Sequence, residues 1–389
     1  MRLRAATVYC LRIPFVEAFR HSAKDRAASD AVVVRVVADD GFEGFGEGLP
    51  RPYVTGETTA FMREHLVSRL LPALAGRTLP ALEGPADLPA MDAALGSVET
   101  HAVLADHASR AAVELALLDC GLRRVGKGLA ALLPPVRPKV VYSGVITAGR
   151  PDTVALHARQ MKLVGLRQVK VKVGTTGAGG TDDDLARVRV VREVLGPDVS
   201  LRLDANGAWT VDEAAAALAA LVPLRIDAVE QPLARGTPDA LAALKTRTDV
   251  PIVVDESLVT RADAEALIAA RAADVFNVRV SKCGGLARSL ELARLALAAG
   301  LAVQVGSQVG ETAILSAAGR HLAVAVERLA FAEGSFGTLL LSEDVSAESL
   351  RFGHRGEAPL LAGPGLGVRV LEERLRKYAL SVDEVALAR

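Results

Sequence analysis

VSLRLD (199–204), IDAVE (226–230) and VPIVVD (250–255) share one pattern: a short apolar run that closes on a carboxylate. Asp204, Glu230 and Asp255 thus stand 26 and 25 residues apart. Alanine-rich amphipathic runs such as VDEAAAALAALV (211–222) fill the intervals. Strands alternating with helices at this period build a parallel sheet. One carboxylate at the C-terminal end of each strand is how a (β/α)8 barrel gathers side chains at a single mouth. Just upstream, VKVKVG (169–174) sets Lys170 and Lys172 two apart, hence on the same face of a strand.

Working outward, the same texture starts near Val140 and predicts eight strands: VVYSGVI, QVKVKV, VSLRLD, IDAVEQ, PIVVD, DVFNVRV, LAVQVG and LAFAEG. A (β/α)8 barrel takes about 250 residues. The chain has 389, so a second unit is required. Residues 1–50 read as β-structure, with GFEGFGEG (41–48) supplying tight turns. Residues 58–125 read as helices, among them ASRAAVELALLDCGLRRVG (108–126). The expected division is an α+β unit over 1–130, the barrel over 135–340, and a tail over 341–389. The tail is expected to hold loops and a short helix that pack back on the first unit.

Lys+Arg and Asp+Glu balance at 46 each, which argues against nucleic acid or an anionic membrane as partner. No apolar stretch approaches the roughly 20 residues of a membrane span, and the first residues do not form a signal peptide. Cys10, Cys120 and Cys283 show no paired or metal spacing. A cytoplasmic location is expected.

Three convergent carboxylates suit a hard divalent cation such as Mg²⁺. A lysine beside a cation and a second lysine has a lowered pKa and can act as a neutral base. Each residue also has a plainer reading. The lysines could end a solvated strand, and each Asp could be a helix N-cap, although Glu230 fits that role poorly. Strand alternation turns Glu256 away and leaves Asp255 as the ligand. GTTGAGGTDDD (174–184) lacks the GK[ST] of a phosphate-binding loop and reads as a barrel loop.

Together VKVKVG, DANGAW (204–209), VEQP (229–232), VDES (254–257) and a strand ending in KCGG (282–285) resemble the enolase superfamily, in its muconate lactonizing enzyme subgroup. GFEGFGEG and GPGLGV (363–368) extend the resemblance over nearly the whole chain. It implies a modified (β/α)8 (TIM) barrel with an N-terminal α+β capping domain completed by the C-terminal tail. It implies Mg²⁺, with Mn²⁺ as a substitute, held by Asp204, Glu230 and Asp255. The implied reaction moves a proton α to a carboxylate of a small substrate, with Lys172 as the acid/base and Lys170 as its neighbour. By analogy it also implies a homo-oligomer.

Two departures bear on the reaction. The subgroup's second catalytic lysine falls 24 residues after the third ligand, where this chain has Arg279, a poor base. A shifted register would give that place to Lys282. Dipeptide epimerases carry an Asp-x-Asp pair on the eighth strand, where this chain has Glu333-Gly334-Ser335. Cycloisomerisation or β-elimination is therefore expected ahead of epimerisation of N-acyl amino acids or dipeptides. A barrel that binds metal and ligand without turnover is the third alternative. Substrate contacts are expected from Glu333, Ser307, His21 and Tyr53, with specificity set by cap loops near 19–21 and 51–55. Glu311 closes the site from the seventh strand or caps the following helix.

Overall fold

The computed structural model describes residues 1–21, 24–96, 106–147, 149–174 and 180–388; for residues 18–21, 24–25 and 180–182 it describes the backbone alone. The cap begins with strands β1 (Leu3–Leu11), β2 (Ile13–His21), β3 (Lys24–Ser29), β4 (Val32–Ala38) and β5 (Glu43–Gly48). β1, β4 and β5 form an antiparallel sheet, and β2 pairs with β3 as a hairpin. Segment 19–21, expected as a loop, is therefore strand. GFEGFGEG is strand too, apart from its start. Gly44, Gly46 and Gly48 share one face of β5 against the helix His107–Arg124. A Cβ at Gly46 would lie 2.0 Å from the Ala112 carbonyl oxygen, and one at Gly48 2.1 Å from that of Ala108. These glycines let a helix backbone rest directly on a strand; only Gly41, at φ 88°, serves a turn.

After the short strand β6 (Lys139–Val141), the barrel comprises β7 (Gly144–Ile146), β8 (Gln168–Lys172), β9 (Ser200–Asp204), β10 (Ala228–Glu230), β11 (Ile252–Val254), β12 (Val275–Val278), β13 (Ala302–Val305) and β14 (Leu329–Ala332). All eight lie in sequence order in one parallel sheet. The Ser143 N–H donates to the Ala332 carbonyl at 2.8 Å and joins its two edges. VVYSGVI, expected as one strand, is split: β6 pairs instead with β15 (Glu357–Pro359) of the tail, and only Gly144–Ile146 enters the barrel. The helices between the strands start on N-caps such as Thr210 and Thr260, each in a reciprocal capping box.

The tail holds the expected short helix, Glu372–Tyr378, and also an unexpected strand, β16 (Ala379–Ala386). β16 pairs antiparallel with β1 and completes a four-stranded cap sheet, β16-β1-β4-β5. Its residues alternate between half-buried and exposed, as an edge strand with one face on the protein requires. Cap and barrel are joined by buried carboxylates. Glu47 on β5 accepts from Thr312 and Leu315 at the start of the barrel helix Ala313–Ala325. Glu114 of the cap accepts from Leu286 and Ala287 at the start of the barrel helix Leu286–Ala298. Among the described residues, no helix is long and apolar enough to cross a membrane.

Candidate active site

The register of the sheet assembles the site. Lys172 on β8 stands opposite Asp204 on β9, and Asp204 opposite Glu230 on β10. Asp255 lies one residue beyond β11, whose Val253 pairs with Glu230. The three carboxylates are buried. Lys170 Nζ lies 3.0 Å from both Asp204 and Glu230 and 2.7 Å from Glu333. Burial opposes its charge, but these three carboxylates outweigh it and raise its pKa. Lys170 thus carries its charge among these three carboxylates. Lys172 Nζ donates to Asp204 Oδ2 at 2.6 Å and to Asn206 Oδ1 at 2.7 Å, and its side chain keeps 11% exposure. A third hydrogen-bonding direction remains for substrate.

Burial pushes Asp204 up, but Lys170 and Lys172 hold it below the usual carboxylate range. Arg279 and Lys282 do the same for Asp255 against its burial. Glu230 accepts from Asn277 and Arg279 on Oε1, and from Lys170 and Gln304 on Oε2; burial is the main influence and raises it. Arg279, at the end of β12, bridges Glu230 Oε1 at 3.3 Å and Asp255 Oδ2. Lys282 lies in the short helix Val280–Cys283, fully buried. Its Nζ donates to the Asp255 carbonyl, Asp255 Oδ1 and the Asn277 carbonyl at 2.7–2.9 Å. All three of its donors are spent on the chain itself. Glu333 likewise spends both oxygens, one on Arg202 at 2.9 Å and one on Lys170.

Sequence reasoning missed several members. Glu256 does not face away: β11 ends at Val254, so strand alternation no longer applies, and Glu256 Oε1 accepts from Asn206 Nδ2 at 3.0 Å. Burial, with Asp255 and Asp204 nearby, pushes it up to about 7. Gln231 shapes that turn: its Oε1 accepts from the N–H groups of Asp255 and Ser257, and its Nε2 donates to Ser257 and Leu233. Asn206 and Gln231 are both left-handed, at φ 46° and 38°. Such backbone strain persists where the surroundings over-determine it. The motifs DAN, VEQ and VDES are thus one interlocked device, although no single strand shows that. Arg202, Asn277 and Gln304 form a buried polar layer under the carboxylates. Their only sequence signal is a polar residue at an inward strand position.

Glu311 stands on the loop after β13. Its Oε1 accepts from the Gln308 N–H at 2.7 Å, and burial, with Glu47 nearby, pushes its carboxyl up to about 8. Its other oxygen and the Ser307 side chain both lie within 4.0 Å of the space a Gly334 Cβ would fill. Ser307 is half-buried there. Tyr53 is exposed on the turn after β5. That turn reaches the mouth loops: Arg51 Nη2 donates to the Val309 carbonyl, and Arg235, after β10, donates to the Val54 carbonyl, both at 2.5 Å. The side chain of His21 lies outside the described residues.

Asp204, Glu230 and Asp255 offer only hard oxygen donors, as Mg²⁺ prefers. Neighbouring pairs of them already share a cation, Lys170 on one side and Arg279 on the other. Glu256 Oε2, beside them, is buried with no hydrogen-bond partner. As arranged, no three acidic, His or Cys side chains among the described residues meet at coordination distance. The donor chemistry fits a divalent cation, provided Arg279 releases its two oxygens.

The family model described as Enolase C-terminal domain-like matches residues 153–374. N-succinyl-L-Arg/Lys racemase of Bacillus cereus is 29% identical over 99% of this chain and 100% of its own length. The 2-chloromuconate cycloisomerase of Rhodococcus opacus 1CP superposes with a TM-score of 0.89 at 30% identity, covering 98% of this chain and 100% of its own. A dipeptide epimerase from Cytophaga hutchinsonii, complexed with Mg and the dipeptide D-Ala-L-Val, gives 0.86 at 26% identity over 99% and 100%. The chain belongs to the enolase superfamily, in its muconate lactonizing enzyme-like subgroup. It is an enzyme of the superfamily's proton-abstracting kind, built on a TIM barrel with an N-terminal cap.

Proposed function

We propose that this enzyme is a Mg²⁺-dependent cycloisomerase or lyase acting on a small carboxylate, with Lys172 as its one lysine base. The observation that carries this reading is the unequal state of the four cations at the mouth. Lys170 and Lys282 are buried and fully engaged with carboxylates and carbonyls, Arg279 stays protonated, and of the three lysines Lys172 alone keeps a direction for substrate. Asp204, Glu230 and Asp255 would hold the metal, which when bound would supply positive charge beside the substrate carboxylate. Lys172 Nζ removes or returns the α-proton from the β8 side, and Asp204 and Asn206 orient it. Arg279, across the ring on β12, steadies the negative charge that develops on the carboxylate. One base suffices to make or break a bond β to that carbon, whereas inversion needs proton delivery on both faces. Glu333, with both oxygens taken, offers no free carboxylate to a substrate ammonium.

A second reading, epimerisation of an N-acyl amino acid or dipeptide, is favoured by Glu311. Burial pushes its carboxyl up to about 8, and it stands on the loop after β13 with Oε2 near Gly334, which follows β14. The likeness to a racemase and an epimerase supports it equally. Proton NMR with Mg²⁺ against muconates, N-succinyl amino acids, dipeptides and hydroxy acids separates the two. A new lactone or alkene without inversion supports the one-base reading. Inversion of the starting material overturns it in favour of the second.

A further inference from the structure

Glu230 and Asp255, two of the three residues assigned to the metal, each give one oxygen to Arg279. Nη2 lies 3.3 Å from Glu230 Oε1 and bonds Asp255 Oδ2. The guanidinium is half-buried, with its side chain 13% exposed. It cannot shed its charge as a lysine or histidine can. A divalent cation therefore has to take both oxygens from a competing cation that belongs to the chain. Two further features make the exchange feasible. Arg279 Nε is buried without a hydrogen-bond partner, so this seat leaves the guanidinium incompletely satisfied. The carboxylates are also held from elsewhere: Lys282 binds Asp255 Oδ1, and Asn277 and Gln304 bind Glu230. They keep their positions when the guanidinium leaves.

We infer that Arg279 is a built-in counter-cation that competes with the divalent metal for Glu230 and Asp255 and keeps the site's metal affinity low. With a metal on Glu230 and Asp255, the guanidinium would be released from both oxygens and could turn to the substrate carboxylate. A lysine at this position has a shorter side chain and can give up its proton as an arginine cannot, so it would compete less. Arg279 is thus a positioning residue for the metal. The inference rests on the assignment of the three carboxylates to Mg²⁺.

Calorimetric titration of the full chain with Mg²⁺, repeated with Mn²⁺, tests it without turnover. Arg279→Met is expected to tighten binding by about tenfold or more, since a unit charge in contact with the ligands is removed. Arg279→Lys is expected to fall between the two, and it carries the test if the Met variant does not fold. A larger rise in melting temperature on adding Mg²⁺ should accompany tighter binding. Unchanged or weaker binding in a folded variant overturns the inference and leaves the metal site standing. Failure of the wild-type chain and both variants to bind either ion overturns the metal assignment itself.

Discussion

Lys282 and Lys172 show how far residue identity alone carries. Both are lysines at barrel-strand ends, and the sequence marked both as catalytic candidates. Lys282 follows Arg279 by three residues in a helical turn that begins at once, and that turn aims its Nζ at three acceptors of the chain. Lys282→Met leaves Asp255 and two buried carbonyls short of a donor. It is expected to cost about 3–5 kcal/mol of stability in urea unfolding, whereas Lys172→Met, at a more exposed site, should cost much less. Glu311 should tolerate an uncharged replacement: Glu311→Gln is expected to leave the melting temperature almost unchanged at pH 7, since burial pushes the native carboxyl up to about 8. Asp204, Glu230 and Asp255 were legible as a group because each ends an apolar run, and Lys172 because it alternates with Lys170 on one strand face. Glu256 was not, because its direction depends on a turn that Gln231 shapes from another strand.

At the scale of elements, the eight barrel strands were readable from β-branched runs alternating with helical ones. Two cap strands were not. In β5, glycine signals a turn to sequence reasoning but here makes room for a helix, and in β16 (ALSVDEVA) the acidic residues mask a half-buried strand. Gly46→Ala should therefore be poorly tolerated. Its Cβ would meet helix backbone at 2.0 Å, and pushing the helix off β5 is expected to cost about 1–3 kcal/mol in chemical denaturation. Glu114 caps a barrel helix from the cap domain, so Glu114→Ala removes an N-terminal acceptor and should cost about 1–2 kcal/mol by the same measurement.

For the molecule as a whole, pH should act through the joints between cap and barrel. Burial pushes Glu47 and Glu114, and Glu57 within the cap, from the ordinary 4.5 up to about 7. The folded chain then holds protons that the unfolded chain releases. Their contribution to stability is complete below about pH 4.5 and is lost as pH rises toward 7. Asp204 and Asp255 act in the opposite sense, because their depressed pKa values stabilise the fold at neutral pH and that contribution is lost in acid. The melting temperature is expected to peak on the mildly acidic side of neutrality and to decline toward pH 7; a flat profile from pH 5 to 7 would contradict this. The most direct test of the central claim, that Lys172 is the one lysine base at this mouth, is α-proton exchange in D₂O with Mg²⁺, read by NMR on any carboxylate the enzyme accepts. Deuterium is expected to enter with retention of configuration, and exchange to be lost completely in Lys172→Ala; exchange that persists in that variant, or deuterium entering with inversion in the wild type, would overturn that role for Lys172.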